Sequence, residues 1–305
     1  MYEITRNVLA EVKKAIVGKD DVISKVWIAL LAEGHVLLED VPGVGKTTMA
    51  LAFSRALGLD TKRIQFTPDT MPSDIIGFSM PGKDGMVYQP GAIMTNLLLA
   101  DEINRTSSKT QAALLEAMEE SNVTVEGKTY ALPRPHLVIA TQNPLGCVGT
   151  QSLPESQLDR FLMRLHMGYP EIQDEVAILK GHAARNPLED VQPVCTPEQL
   201  ETLQQQAAAV YVDDRLYYYA ASVSRATREH PQAVLGVSPR GTLALIQSAK
   251  AMAMLHGRDY LLPDDIMPLC QDVLAHRILT KGGVAAEQVL DEVLHQVPAP
   301  MPDRR

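Results

Sequence analysis

The chain changes its hydrophobic rhythm once. Up to Tyr169-Pro170, short apolar runs alternate with amphipathic stretches; beyond that point strand-like runs disappear. The runs Val36–Leu38, Ile64–Phe66, Leu97–Ala100, Leu137–Ala140 and Phe161–Leu165 are continuously apolar rather than alternating, the pattern of strands covered on both faces. Within Lys46–Leu57, Met49, Ala50, Phe53 and Leu57 recur at helical spacing, and Leu114, Leu115 and Met118 do the same within Thr106–Glu120. Strands and helices alternating in this way predict an α/β domain around a largely parallel sheet. Helical patterns over 171–185, 197–211, 213–229, 239–257, 263–281 and 284–296 then predict a smaller helical domain. Pro187, Pro193 and Pro197 lie in the loop-like stretch between them, which places the domains at 1–188 and 189–305.

Two segments interrupt the first domain. Lys83-Asp84-Gly85, inside 77–91, is a hairpin turn signal flanked by short strands. Glu126-Gly127, inside 123–132, is a second, with apolar residues alternating on either side.

The first apolar run leads into a loop that matches all but the first position of G-x-x-x-x-G-K-[ST], with Asp40 in place of the first glycine. Its glycines let backbone N–H groups turn inward around phosphate oxygens, and a helix starting near Lys46 aims its positive end at them. Pro42, Gly43, Val44, Gly45 and Thr48 complete a cradle in which Lys46 reaches the β- and γ-phosphates of ATP and the Thr47 hydroxyl ligates Mg²⁺. The run Leu97–Ala100 ends in Asp101-Glu102. Asp101 is placed to hold Mg²⁺ opposite Thr47, and Glu102 to polarise a water for attack on the γ-phosphate. A carboxylate pair rather than a lone Asp favours hydrolysis over transfer to a bound acceptor. Asn143, after the run Leu137–Ala140, is a neutral donor and acceptor that reads as a nucleotide sensor.

Composition narrows the options. At 305 residues and 46% apolar, the chain can bury a sizeable core. No run approaches the roughly 20 apolar residues of a membrane span, and the N-terminus lacks the apolar stretch of a signal peptide. Cys147, Cys195 and Cys270 are too few and too scattered for a disulfide framework or a zinc site, which suits a reducing cytoplasmic compartment. A net charge of −9 argues against general nucleic-acid binding.

The stretches LLEDVPGVGKTT, LLLADEINR, ATQNP, LPESQLDRF and GVSPRGT together resemble the AAA+ ATPases, and within them the MoxR family, over residues 36–242 with helices following. The resemblance implies a P-loop core with a five-stranded parallel sheet flanked by helices, then a smaller all-helical lid. It implies a homo-oligomeric ring, expected to have six subunits, that hydrolyses ATP at subunit interfaces to remodel or mature partner proteins, von Willebrand factor A-domain proteins among them. Arg160 matches the arginine finger, with Arg164 the alternative, and Arg240 matches sensor 2, acting in cis or across the interface. Val17-Gly18 matches the stretch lining the adenine pocket, and the two hairpins match pore-facing inserts. A helicase-type motor is the rival reading, weakened by acidity and by few cations on the hairpins (Lys83, Lys128). A small-molecule kinase leaves Glu102, Asn143 and Arg160 without work. A nucleotide-gated scaffold does not need Glu102.

Overall fold

Strand β1 (Val36–Glu39) lies inside a five-stranded sheet of order β2-β5-β8-β1-β9, parallel throughout. The other strands are β2 (Thr61–Gln65), β5 (Leu97–Asp101), β8 (Leu137–Gln142) and β9 (Met163–Leu165), of which β8 and β9 flank β1. The computed structural model describes residues 2–41, 43–83, 85–143, 153–182 and 186–300. Central β5 and β8 are buried at every position, as continuously apolar strands between two helical layers must be. Strand β2 differs from the expected Ile64–Phe66. It begins earlier and reads TKRIQ, half-exposed, because it is the sheet's edge and needs apolar cover on fewer sides.

Side chains alternate across the sheet with period two. Val36, Leu38, Leu97, Leu99, Leu137 and Ile139 join a core with α1 (Tyr2–Ala15), α2 (Asp20–Leu31) and α3 (Lys46–Ala56). Leu37, Leu98, Ala100, Val138 and Ala140 join the opposite core with α4 (Pro72–Ile76) and α5 (Ser108–Glu120). Both expected hairpins form: β3 (Phe78–Gly82) pairs with β4 (Gly85–Gln89), and β6 (Asn122–Val125) with β7 (Lys128–Ala131). Left-handed Glu126 (φ 49°) and Gly127 (φ 78°) make the second turn. Tyr88 and Tyr130 stack at 4.0 Å between ring centroids and so lock the two hairpins side by side.

A short helix α6 (Glu155–Leu158) precedes β9. Then come α7 (Ile172–His182), α8 (Pro197–Ala208), α9 (Asp214–Glu229), α10 (Pro239–Leu255), α11 (Pro263–Ile266), α12 (Cys270–Leu274) and α13 (Ala286–Gln296). Their starts are written in the sequence. Thr196 and Gln199 form a capping box, and Asp213 and Ser238 accept from the first free N–H groups of α9 and α10. Two features depart from expectation. The helix expected over 263–281 breaks into short turns at Pro268, which has no N–H to continue the ladder. Residues Ala233–Leu235 (β10) and Leu279–Thr280 (β11) form a small antiparallel ribbon among the helices, too short to leave a strand pattern. No helix among the described residues is long and apolar enough to cross a membrane.

Candidate functional site

The carboxyl ends of β1, β5 and β8 bring the first three motifs together. After β1, Gly43 (φ 87°) and Gly45 (φ 96°) take left-handed backbone that any side chain would strain. A Cβ built on Gly43 meets nothing within 4 Å, so the space over the loop is open to a ligand approaching the main chain. Gly45 is the N-cap of α3, so the first-turn N–H groups of Lys46, Thr47 and Thr48 lack an intrahelical partner and are available to an anion at the loop. Val44 packs on the core beneath, and Pro42 lies outside the described residues. Asp40, standing where the motif has glycine, accepts from the N–H groups of Val41 (2.8 Å) and Gly168 (2.5 Å) and ties the loop to the segment after β9.

Lys46 is almost fully buried. Its ammonium donates to the carbonyl of Asp40, to Gln142 O (3.1 Å) and to Asn143 Oδ1 (3.1 Å). Burial pushes its pKa below the usual lysine value, against the pull of Asp40, Asp101, Glu102 and Glu39. Thr47 Oγ1 donates to Asp101 Oδ2 at 3.2 Å, which unites the two residues expected to hold Mg²⁺. Thr141 Oγ1 donates to Asp101 Oδ1 (2.6 Å) while accepting from Glu102 N (2.9 Å), so one hydroxyl fixes both carboxylate residues. Glu102 turns out of β5 in the left-handed region (φ 57°), a strained conformation for a side chain of its size. Its carboxylate accepts from Asn143 Nδ2 (3.1 Å), Gln65 Nε2 (2.9 Å) and Arg105 Nη1 (2.9 Å). Asn143 thus links Lys46 to Glu102, and the buried Asn104 holds the Asn143 carbonyl at 2.9 Å.

Arg63, Gln65, Thr141, Asn104 and Arg105 also belong to this network, without having stood out in the sequence. Arg63 sits on the half-exposed edge strand and donates to Asp101 Oδ2 at 2.7 Å. The parallel register puts Gln65 opposite Asp101, a pairing that no local pattern discloses. Thr141 lies in the ATQNP stretch, and its polarity in a buried strand is the available signal.

Val17 and Gly18 lie between α1 and α2, beside α7. Gly18 (φ 70°) abuts the Asp174 carboxylate so closely that a Cβ would overlap it, and Lys19 donates to Tyr169 O at 2.9 Å. The segment Gly168–Tyr169 therefore joins this turn to the phosphate loop. Arg164, on β9, pairs with Glu39 (3.5 Å) and Glu287 (3.0 Å).

Arg160 and Arg240 lie elsewhere. Both line a cavity of about 500 Å³ with Glu33, Gly34 and His35, the residues that lead into β1, and so sit at the amino edge of the sheet. Arg160 donates to Leu115 O (2.6 Å) and pairs with Glu119 (3.0 Å); Arg240 pairs with the same Glu119. Asp159 accepts from Arg277 Nε (2.7 Å) and from Ser238 Oγ (3.1 Å), binding the entrance of β9 to α10.

Residues 35–163 match the ATPase family associated with various cellular activities (AAA), and residues 225–296 match the AAA lid domain. The chain is 34% identical to a candidate ATPase from Cytophaga hutchinsonii of known crystal structure, with a TM-score of 0.91 over 98% of this chain and 96% of that one. It is 46% identical to the uncharacterized protein YeaC of Bacillus subtilis over 99% of this chain and 96% of YeaC. Chaperone MoxR1 of Mycobacterium tuberculosis is 39% identical over 93% of this chain and 78% of its own length. Similarity of that extent, spanning the sheet and the helices behind it, makes this chain a member of the MoxR family of AAA+ ATPases.

Proposed function

We propose that the protein binds ATP in the loop Gly43–Thr48 and hydrolyses it at contacts between adjacent copies in a ring, using the cycle to remodel partner proteins. Separation of the charged groups carries this reading. Lys46, Thr47, Asp101 and Glu102 stand at the carboxyl edge of the sheet, whereas Arg160 and Arg240 stand at its amino edge. A strand advances about 3.3 Å per residue, so the four residues of β1 place the two edges roughly 13 Å apart. That gap sets both arginines apart from their own phosphate loop, which favours a neighbour's nucleotide as their target. Arg160 would act as the finger, and Arg240 as a second cation given in trans; Arg164, held by Glu39 and Glu287, keeps β9 and α13 together.

Within one chain, Thr47 and Asp101 would hold Mg²⁺, which neutralises phosphate charge when bound. Lys46 would exchange its carbonyl partners for phosphate oxygens, and Asn143 would hold Glu102 for a water. Val17 and Gly18 would flank the base. The same reading divides the chain after residue 188 into a nucleotide-binding core and a lid, which is supported by the lid match at 225–296. A protein substrate is favoured by the hairpin β3–β4, where Phe78, Met80, Met86 and Val87 are all about half exposed. Such a surface suits apolar polypeptide better than phosphate. A von Willebrand factor A-domain partner remains part of this proposal through the family alone.

The test mixes two inactive variants. Arg160→Ala retains a phosphate loop but gives no finger, and Lys46→Ala gives a finger but holds no ATP. Turnover restored on mixing, together with specific activity that rises with assembly measured by native mass, is the expected outcome. Mixtures that stay inactive while mixed rings form would overturn the interfacial site.

A further inference from the structure

We infer that Glu119 is a positioning residue that gathers Arg160 and Arg240 into a single two-arginine claw, occupying it until a neighbour's triphosphate arrives. The inference rests on the interfacial reading above. Glu119 lies in the last turn of α5, where a carboxylate opposes the helix dipole; Arg240 lies in the first turn of α10, where a cation opposes it too. Each helix end therefore carries the unfavourable sign, and the two misplacements cancel only because the residues pair with one another. Ordinary helix stability does not account for this choice at either position.

The geometry says what the pairing achieves. One oxygen of Glu119 takes Arg160 and the other takes Arg240, so two guanidiniums from different parts of the fold meet on one planar anion. A phosphoryl group with several free oxygens can be held by two arginines in the same manner. A third cation is close by: burial lowers the pKa of Arg277 against the pull of Asp159, and Arg240 lowers it further, so Glu119 offsets like charge around Arg240. Arg160 is anchored separately through Leu115 O, whereas Glu119 is the partner that holds Arg240. Arg160 Nε is buried with no hydrogen-bond partner among the described residues, a donor still unmet while Glu119 occupies the claw. Glu119 itself is one-third exposed, so an incoming anion can compete with it.

The experiment reads Glu119 only through the subunit that donates arginines. Arg160→Ala subunits supply the nucleotide site, and donors are either Lys46→Ala or the double variant Lys46→Ala with Glu119→Gln. The double variant should restore turnover at least about tenfold less well, since an ångström of misplacement at a reacting centre costs up to roughly 10²-fold. The KM for ATP should stay within about twofold, because the binding subunit is unaltered. Equal rescue by both donors at equal ring content by native mass overturns the role of Glu119. Rescue by neither donor refutes the interfacial reading itself, and this inference with it. If the Glu119→Gln donor does not join rings, Glu119→Asp replaces it, keeping the charge one methylene shorter. Impaired rescue by assembled Asp donors supports the claw, and full rescue counts against it.

Discussion

Replacing Arg277 by Met should loosen the joint between the sheet and the helices behind it, and the structure sets the size of the effect. Arg277 has 2% of its side chain exposed. Its guanidinium donates to Asp159 Oδ1 (2.7 Å), Asp159 O (3.2 Å), Phe161 O (2.7 Å), Leu162 O (3.3 Å) and the Val273 carbonyl. Methionine fills much of the same volume but satisfies none of these acceptors. Removing one partner of a buried ion pair costs about 3–5 kcal/mol. Asp159 is 21% exposed and keeps Ser238, so water recovers part of the loss and about 3 kcal/mol is the fair figure. An unfolding entropy near 2.1 cal/mol/K per residue over 305 residues then turns this into a midpoint lowered by about 5 °C.

Calorimetry of the variant and the parent at one protein concentration, without nucleotide, measures that shift. A second readout is functional, because Asp159 precedes Arg160 and holds Ser238 two residues before Arg240. The variant should therefore donate arginines poorly to Arg160→Ala subunits even at temperatures where it is fully folded. A midpoint within about 1 °C of the parent, with donor activity intact, would refute the claim that this buried arginine ties the two regions together.

Glu102→Gln should still bind ATP, because Lys46 and the loop are untouched, while turnover falls at least about tenfold; unchanged turnover would remove Glu102 from the chemistry. His35 predicts an acid-side weakness. Its Nδ1 accepts from Val138 N (3.1 Å), its Nε2 faces Met118 O (3.3 Å), and burial, followed by the nearby His136, lowers its pKa to about 4. The unfolded chain binds this proton near pH 6.5 and the folded chain does not, so stability is present above pH 6.5 and falls between about 6.5 and 4, by about 3 kcal/mol at pH 4. Denaturation followed across that window should give a shallower pH dependence for His35→Gln than for the parent. Parallel curves would show that His35 is not a source of the acid lability.

How legible the site was depended on whether its parts were local. The phosphate loop, the acidic strand end and Asn143 each follow an apolar run and announce themselves within a few residues, and the sheet brings their side chains within hydrogen-bond distance. Gln65 and Arg63 were invisible for the opposite reason. They act through strand register, on an edge strand whose half-exposed sequence lacks the apolar signature of its neighbours. Glu119 read as one more polar residue at the end of an amphipathic helix. Its meaning comes from Arg160, 41 positions on, and from Arg240 across the fold. The broken helix at Pro268 was legible and overlooked, since a proline five residues after Pro263 interrupts any continuous ladder.

The two edges of the sheet also bear on how copies would meet. The carboxyl edge gathers Glu39, Asp40, Asp101 and Glu102 around Lys46, and a triphosphate adds more negative charge there. The amino edge presents Arg160 and Arg240 beside a cavity also lined by Lys250. Opposite charges on opposite edges of one molecule favour head-to-tail contact, which closes into a ring when the rotation between copies permits. A net charge of −9 works the other way, because whole chains repel one another at distance. Each edge also has internal partners that a nucleotide would have to displace: carbonyls and Asn143 on Lys46, and Glu119 on the two arginines. Under the proposed interfacial reading, a triphosphate would alter both edges at once, drawing Lys46 from its carbonyls and offering a neighbour's arginines a stronger anion than Glu119. On this reading, nucleotide is the element that completes the contact between copies, so assembly and hydrolysis draw on the same few charges.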